Sequence, residues 1–199
     1  MALLVDWGRS HQGNLIDGSR RTTVSSLPSS NGQFSGLAGD LRIYSAPKAL
    51  LRHIQWSLNE IFGYPVELNW EQQHLSPGAF ATQLQWREIK PTASKIASTL
   101  KSWHYLRFEV REYSTGHNGG GEGVLYRCTP DLGLHQAVTA STGDVMIHEN
   151  RLMTALENNR SYESLRQSIS NSLGIAWDLE LESYRRGVGS EGEIKAVSI

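Results

Sequence analysis

The sequence predicts an α+β protein in which amphipathic helices lie over an antiparallel sheet. One segment repeats apolar residues at helical spacing, and these residues are Leu50, Ile54, Leu58 and Ile61. A second segment, residues 106–112, alternates apolar and charged residues without a break, which is typical of a half-buried strand. Because segments of both kinds follow one another along the chain, helices and strands are expected to share one core.

The first predicted elements are a strand at residues 41–45 and the helix that follows it. Ser45, Ala46 and Pro47 mark the start of the helix, since proline is favoured in the first turn, where its missing N–H costs nothing. Gly63 follows the last apolar residues of the helix, at the position where a glycine commonly ends a helix. The chain is therefore expected to pass directly from strand to helix and to leave the helix at Gly63.

Two strands, a second helix and a third strand complete the first half of the chain. The strands at residues 66–71 and 80–86 alternate apolar and polar residues, and a short loop can join them as antiparallel neighbours. Pro91 and Thr92 open the second helix, whose inward residues are Ile96, Leu100 and Trp103. With the strand at residues 106–112 the order becomes βαββαβ. This order predicts a ferredoxin-like core, in which two helices cover one face of a four-stranded antiparallel sheet.

The C-terminal half adds further strands and helices to this core. Short strands are predicted at residues 124–128, 132–139 and 144–147, with turn residues between them. They extend the sheet or form a second small one, and the pattern leaves both arrangements open. Helical spacing then predicts helices at residues 149–158, 162–173 and 177–184, and Gly174 ends the second of these.

Residues 1–39 differ in composition from the rest of the chain. They are rich in serine and glycine and lack the sustained periodicity of a strand or a helix. Such a segment buries too little apolar surface to offset its chain entropy, so disorder or loose packing is expected. An alternative is that Met1 is not the native start and that the native chain begins nearer to Asp40. The expected organisation is one α+β domain at residues 40–187 and a flexible tail at residues 188–199.

Composition and charge exclude several classes of function. Lys and Arg total 19 and Asp and Glu total 20, and this balance disfavours nucleic-acid binding, which usually requires a basic excess. The apolar runs are far shorter than the about 20 residues that span a bilayer, so no membrane segment is expected. Cys128 is the only cysteine, which rules out an intramolecular disulfide and favours a reducing, cytoplasmic location. A buried, inert thiol is expected there, with the neighbouring Arg127 on the opposite face of its strand.

Several short motifs between about residue 40 and residue 187 are specific in combination. They are Ser45-Ala46-Pro47, His53 with Trp56, Leu106-Arg107-Phe108-Glu109-Val110, Thr129-Pro130 with Leu132-Gly133, Gly143-Asp144, Glu149 with Arg151-Leu152, and Leu173-Gly174 with Ala176-Trp177-Asp178. Together they resemble the DUF3145 family, a family of actinobacterial proteins of unknown function. The resemblance implies an actinobacterial, cytosolic origin, and it carries no activity, cofactor or catalytic residue.

Four residues are candidates for acid–base chemistry, and they are His53, His135, Asp144 and Glu149. Histidine titrates near neutral pH and can act as a general base when a carboxylate orients it. The enzymatic hypothesis is a hydrolase or transferase in which one of the histidines, His104 included, works with Asp144 or Glu149. The alternative is that the histidines lie on the surface and that Glu149 is an anion at a helix N-terminus. No nucleotide or metal motif is present, so neither a cofactor nor a metal is expected.

Four other residues are candidates for binding a ligand or a partner, and they are Trp56, Arg107, Arg111 and Trp177. Trp56 lies off the apolar stripe of its helix and Trp177 precedes a charged segment, and exposed tryptophan is common at interfaces. Arg107 and Arg111 share a polar, open strand face with Glu109; one hypothesis is that a ligand or partner binds this face, and the alternative is an ordinary solvated sheet face. We therefore favour a binding module for a protein partner, a small ligand or a second copy. An enzyme is the alternative, and nucleic-acid binding is a disfavoured third hypothesis.

Overall fold

The computed structural model describes residues 36–115 and 121–188, with side chains described as far as residue 185. In these ranges seven strands form one antiparallel sheet, and they are β1 (Leu37–Pro47), β2 (Glu71–Gln72), β3 (Ala79–Glu88), β4 (Arg107–Ser114), β5 (Gly123–Thr129), β6 (Gly133–Thr139) and β7 (Val145–Met146). The α-helices are α1 (Leu51–Phe62), α2 (Ala93–Leu100), α3 (Glu149–Asn158), α4 (Tyr162–Leu173) and α5 (Ile175–Val188). The order across the sheet is β2-β3-β1-β4-β5-β6-β7, so the last three strands extend the sheet. The predicted α+β class with an antiparallel sheet is confirmed.

Helices α1 and α2 pack on one face of the sheet and form the main core. Ile54 and Leu58 of α1 are fully buried, and so are Ile96 and Leu100 of α2. The sheet contributes apolar side chains from its central strands to the same cluster, and they include Leu41, Ile43, Phe108, Val110, Tyr126 and Cys128. The residues that helical spacing placed inward are therefore the ones that contact the sheet, with Trp103 at the margin of the cluster.

A carboxylate from the sheet caps helix α2. Glu112 of β4 is buried, and its Oε2 atom accepts hydrogen bonds from the backbone N–H groups of Thr92 and Ala93 at 2.8 and 3.1 Å. N–H groups in the first turn of a helix have no carbonyl partner within the helix. Because α2 has only eight residues, fewer than the about 12 that an isolated helix needs, this cap and the burial of Ile96 and Leu100 determine where it forms.

Glycines end helices α1 and α4, as the sequence predicts. Gly63 and Gly174 have φ angles of 76° and 72°, in the left-handed region that favours glycine. The predicted start of the first helix is wrong, because Pro47 is the last residue of β1. A 3₁₀ turn at Lys48–Leu50 separates it from α1. The extended backbone of Pro47, with ψ at 143°, therefore completes a strand instead of opening an α-helix.

The predicted strand at residues 66–71 is wrong over most of its length, since only the two residues of β2 pair with β3. Its apolar side chains nevertheless face the core, and Val66 is buried. In this segment, side chains form the hydrogen bonds to the backbone that a neighbouring strand would otherwise form. The Val66 N–H donates to Asn59 Oδ1 at 2.9 Å, and the Thr82 hydroxyl donates to the Asn69 carbonyl at 2.7 Å. Alternation therefore predicted burial correctly and backbone pairing incorrectly.

Strand β1 begins at Leu37, which lies before the predicted domain boundary at Asp40. The glycine in this stretch serves close packing, because a Cβ atom on Gly39 would lie 2.2 Å from the ring of Trp86. Disorder was predicted for residues 1–39, and residues 37–39 are instead part of the sheet. The remainder of that segment, residues 116–120 and the predicted tail from residue 189 onward lie outside the described residues.

Helix α5 covers part of the opposite face of the sheet. Its Leu181 is fully buried, and Glu109 of β4 is only 2% exposed. Arg185 of α5 donates a hydrogen bond to Glu109 Oε2 at 3.0 Å. The expectation of an open polar face on β4 is therefore wrong at Glu109, because alternation within a strand cannot indicate that a helix from the end of the chain lies over it.

Candidate functional site

The outer edge of the sheet is open along part of strand β6. The neighbouring strand β7 pairs only with Val138 and Thr139. After β7 the chain leaves the sheet and enters α3. Within the described ranges, residues Leu134 to Gln136 therefore have a strand partner, β5, on one side only.

The polar backbone groups at this edge point outward at alternate residues. In the turn between β6 and β7, the Ala140 N–H donates to the Asp144 carbonyl at 2.9 Å. Every second residue of an antiparallel strand directs its N–H and C=O groups to the same side, so Gln136 and Leu134 direct theirs to the side on which Ala140 bonds. Among the described residues, these four groups have no hydrogen-bond partner. The edge thus offers two donors and two acceptors.

A groove of about 440 Å³ runs along this edge. The strand forms one wall through three consecutive residues, Leu134–Gln136. Consecutive strand residues point to opposite faces of a sheet, so a groove lined by all three lies against the edge of the strand. Helices α3 and α4 form the other wall, and their lining residues are Arg151, Ser168, Asn171 and Ser172. This second wall is entirely polar.

The corner between α4 and α5 holds the helical wall against β6. His135 is buried, and its Nε2 atom lies 3.3 Å from the Ser172 carbonyl oxygen. The Trp177 ring packs on the His135 imidazole with 4.8 Å between the ring centroids. Trp177 Nε1 also donates to the Gly133 carbonyl at 2.9 Å. These contacts fix the distance between the open edge and the wall that faces it.

Gly174 is the residue that lets this corner form. A Cβ atom at this position would lie 2.5 Å from His135 Cε1 and 3.1 Å from Arg127 Nη1. Arg127 Nη1 in turn donates to the Leu173 carbonyl at 3.3 Å, next to Gly174 in the chain. Only glycine combines the left-handed φ of 72° with this close approach of two side chains.

The environment of His135 favours the neutral form of its imidazole. Burial lowers the pKa of its imidazole, and the charge of Arg127 lowers the pKa further, although the Ser172 carbonyl opposes this shift. A neutral ring that donates from Nε2 to Ser172 keeps Nδ1 as an unprotonated acceptor. Within the described part of the chain, His135 Nδ1 and Arg127 Nε are both buried without a hydrogen-bond partner.

A cluster of charged side chains joins α5 to the sheet. Buried Glu109 accepts hydrogen bonds at Oε2 from the Tyr44 hydroxyl (2.9 Å) and Arg185 (3.0 Å), and at Oε1 from Arg111 (3.0 and 2.7 Å). Arg185 also donates to Asp178 on its own helix at 2.8 Å. Burial raises the pKa of Glu109, but Arg111 and Arg185 outweigh this effect and hold the pKa below its ordinary value. Both oxygens of Glu109 are satisfied, so we interpret the cluster as the anchor of α5.

No contact joins the predicted acid–base residues. His53 is exposed on α1, with its ring 5.5 Å from that of Trp56. Asp144 and Glu149 are exposed as well, while His135 is buried at the corner of α4 and α5. In the ranges that the structure describes, no hydrogen bond joins a histidine to a carboxylate, and no three His, Cys, Asp or Glu side chains converge as metal ligands.

The four predicted binding residues are divided between two regions. Trp56 lies on the outer surface of α1 and is 61% exposed. Arg107 pairs with Glu180 of α5 at 2.9 Å, and Arg111 binds Glu109. Trp177 packs against His135 beside the groove. Arg107 and Trp177 therefore hold α5 against the sheet, Arg111 pairs within its own strand, and Trp177 alone of the four adjoins the open edge.

Sequence analysis missed Leu134, Gln136 and Arg151 as functional candidates. Leu134 and Gln136 are proposed to act through their backbone N–H and C=O groups, and the identity of a side chain does not indicate whether these groups are free. One signal was nevertheless present. The strand predicted at residues 144–147 is much shorter than the strand at residues 132–139 that precedes it, so the shorter strand can pair with only part of the longer one.

Cys128 is expected to be unreactive in the folded protein. It lies in the core between sheet and helices, while Arg127 points to the opposite face and pairs with Asp178, both as predicted. Burial raises the pKa of the Cys128 thiol to about 11. At pH 8 the thiolate fraction is then about two orders of magnitude lower than in an unfolded chain. Alkylation by iodoacetamide, followed by mass spectrometry with and without guanidinium chloride, measures this difference. Equal rates in both conditions would contradict it.

Comparison with known proteins returns one family model. The model describes a protein of unknown function, DUF3145, and it matches residues 41–197. No curated protein and no solved structure matches the chain. Across the described ranges, no helix combines the length and the apolar character that a membrane span requires.

Proposed function

The chain belongs to the DUF3145 family, whose description records no function, and we propose that it is a binding module for an extended peptide segment of a partner protein. The segment pairs with the open edge of β6 and lies in the groove between this strand and helices α3 and α4. Backbone hydrogen bonds to Leu134 and Gln136 hold the segment as an added strand of the sheet.

One observation carries this proposal: the outward backbone groups of Leu134 and Gln136 face a groove that has a second wall. Proteins usually protect an open strand edge with lysine, proline, a bulge or an inward charge. The open stretch of β6 reads Gly-Leu-His-Gln-Ala and contains no lysine or proline. The wall formed by α3 and α4 restricts access, so a single extended chain fits beside the edge better than a second sheet does.

The short length of the edge limits the affinity that the backbone can supply. Leu134 and Gln136 lie about 7 Å apart along the strand, so at most four backbone hydrogen bonds form. Each contributes about 0.5–1.5 kcal/mol net, and ordering of the peptide opposes this gain. We expect a Kd between about 1 µM and 1 mM, with side chains in the groove deciding where in this range a given peptide falls.

Replacing Gln136 with proline is expected to weaken peptide binding about two- to tenfold while the fold is retained, because one backbone hydrogen bond is lost. Proline removes the outward N–H of residue 136 and leaves the ladder with β5 intact, and proline is tolerated in edge strands at such positions. The probe is a linear peptide of about ten residues, selected from a random library for binding to the wild-type protein. Fluorescence anisotropy gives its Kd. The Gln136→Thr variant is the matched control, because it changes the side chain and keeps the N–H.

Four further outcomes decide the proposal. Hydrogen exchange is expected to show new protection of the Leu134 and Gln136 amides when the peptide binds, and this result does not depend on any variant. The proposal is wrong if selection recovers no peptide, or if Gln136→Pro binds as tightly as Gln136→Thr. It is also wrong if the protein forms a dimer that Gln136→Pro dissociates, because a second copy would then occupy the edge.

We also propose a ferredoxin-like core made of β1, α1, β2, β3, α2 and β4. Its support is the strand order β2-β3-β1-β4, with every neighbour antiparallel and both helices on one face.

We propose a cytoplasmic location because Cys128 is a free, buried thiol. A domain at residues 40–187 is likewise proposed, and the described residues all fall within one compact unit, Gln33–Ile199.

A further inference from the structure

We infer that the bound peptide carries an acidic residue and that Arg151 binds its carboxylate in the groove, an inference that rests on the proposed function. Arg151 is exposed in the first turn of α3. It is the one formally charged residue among those that line the groove. The remaining polar lining residues are Gln136, Ser168, Asn171 and Ser172, together with His135, whose pKa is lowered by burial.

Arg151 has no ionic partner within the described part of the chain. On a helix, a side chain meets those three and four positions away. For Arg151 these are the neutral residues Thr154 and Ala155 in one direction and, in the other, Ile147 and His148, which precede the helix. The part of this wall that α4 forms contributes only serine and asparagine side chains. Among the described residues, the charge of Arg151 is therefore left for a group that enters the groove.

The chemistry of a guanidinium group selects a carboxylate. Its planar array of N–H donors forms two parallel hydrogen bonds to a carboxylate, with an energy that exceeds that of a neutral hydrogen bond. In an added strand the side chains alternate between the two faces, so one register position directs an acidic side chain toward Arg151. Ser168 and Asn171 line the same wall and can donate to the oxygen lone pairs that Arg151 leaves free. A basic side chain at that position meets a like charge instead.

The test uses three versions of one selected peptide, with Glu, Gln or Lys at the acidic position. Wild-type protein is expected to bind the Glu version about two- to fivefold more tightly than the Gln version, and the Lys version more weakly still. Arg151→Gln is expected to remove the difference between Glu and Gln, and Arg151→Glu to favour the Lys version. Arg166→Gln is the matched control, because Arg166 is an exposed arginine of α4 that does not line the groove. Added salt is expected to reduce the preference for Glu.

The outcomes separate this inference from the proposed function. If peptides bind, lose affinity for Gln136→Pro and yet do not distinguish Glu from Gln, the inference about charge is wrong and the proposed function stands. Selected peptides that lack Asp and Glu lead to the same conclusion. A preference for Glu that persists in Arg151→Gln overturns the role of Arg151. If no peptide binds at all, both proposals are wrong.

Discussion

Replacing Gly174 with alanine is expected to lower the thermal midpoint of the protein by about 4–20 °C. Two effects add. A residue with a Cβ atom loses about 1–2 kcal/mol in the left-handed conformation, which Gly174 adopts with φ at 72°. The new methyl group would also lie 2.5 Å from His135 Cε1, so the corner must move, at a cost of about 1–3 kcal/mol. Circular dichroism during heating measures the midpoint.

Gly63 provides the matched control for this substitution. It ends helix α1 with φ at 76°, but no atom lies within 4 Å of the position that a Cβ would take. Gly63→Ala is therefore expected to cost only the conformational part, about 1–2 kcal/mol. Equal losses in the two variants would show that the contact with His135 can relax freely. At a temperature where both variants are folded, Gly174→Ala is also expected to bind the selected peptide less tightly than Gly63→Ala, because the corner positions one wall of the groove.

Local signals in the sequence determined the helices of the C-terminal region. The predicted bounds at residues 149–158 and 162–173 agree with α3 and α4. Helix α4 has no buried residue, so its ends depend on caps. The Ser161 hydroxyl accepts a hydrogen bond from the Ser164 N–H at 3.2 Å at one end, and Gly174 closes the other. Both caps lie next to the helix in sequence, which is why they could be predicted.

Features that depend on distant residues could not be predicted in the same way. Glu109 and Arg185 are 76 positions apart in the chain, and no spacing rule connects them. The alternation of apolar and charged residues along β4 was recognised. However, this alternation is the same whether the charged face is exposed to solvent or binds charged residues of a helix. The groove has a similar origin, since it exists because β7 ends after Met146 and the chain turns into α3. Arg111 and Trp177 were predicted from the sequence as binding residues, a role that stays a prediction, whereas the edge at Gln136 was not predicted.

Replacing Glu109 with alanine is expected to destabilise the protein by about 3 kcal/mol. The substitution removes the shared acceptor of Tyr44, Arg111 and Arg185. Breaking a buried ion pair costs about 3–5 kcal/mol, and the lower figure applies because the side chains of Arg185 and Arg111 are 22% and 46% exposed and reach water. Urea unfolding at neutral pH measures the loss.

Glu180→Ala is the control for Glu109→Ala, since it removes a carboxylate that also joins α5 to β4. The Arg107–Glu180 pair is partly exposed on both sides, and such pairs contribute about 0–1 kcal/mol. A comparable loss of unfolding free energy in both variants would mean that the buried Glu109 stabilises the protein no more than the partly exposed Glu180 does. The expected ratio of about three or more between the two losses follows from the deeper burial of Glu109 and from its larger number of partners.

The anchor of α5 also predicts how stability responds to acid. The pKa of Glu109 is below its ordinary value of 4.5 in the folded protein, so the unfolded chain binds this proton more tightly. The stabilisation from Glu109 is therefore complete above the unfolded pKa and is lost as the pH falls through the folded pKa. We expect the wild-type free energy of unfolding to fall between these two values, and Glu109→Gln to lack this component of the slope. Urea unfolding of both proteins over a series of acidic pH values tests this, and parallel curves would mean that Arg111 and Arg185 do not stabilise the ionised carboxylate.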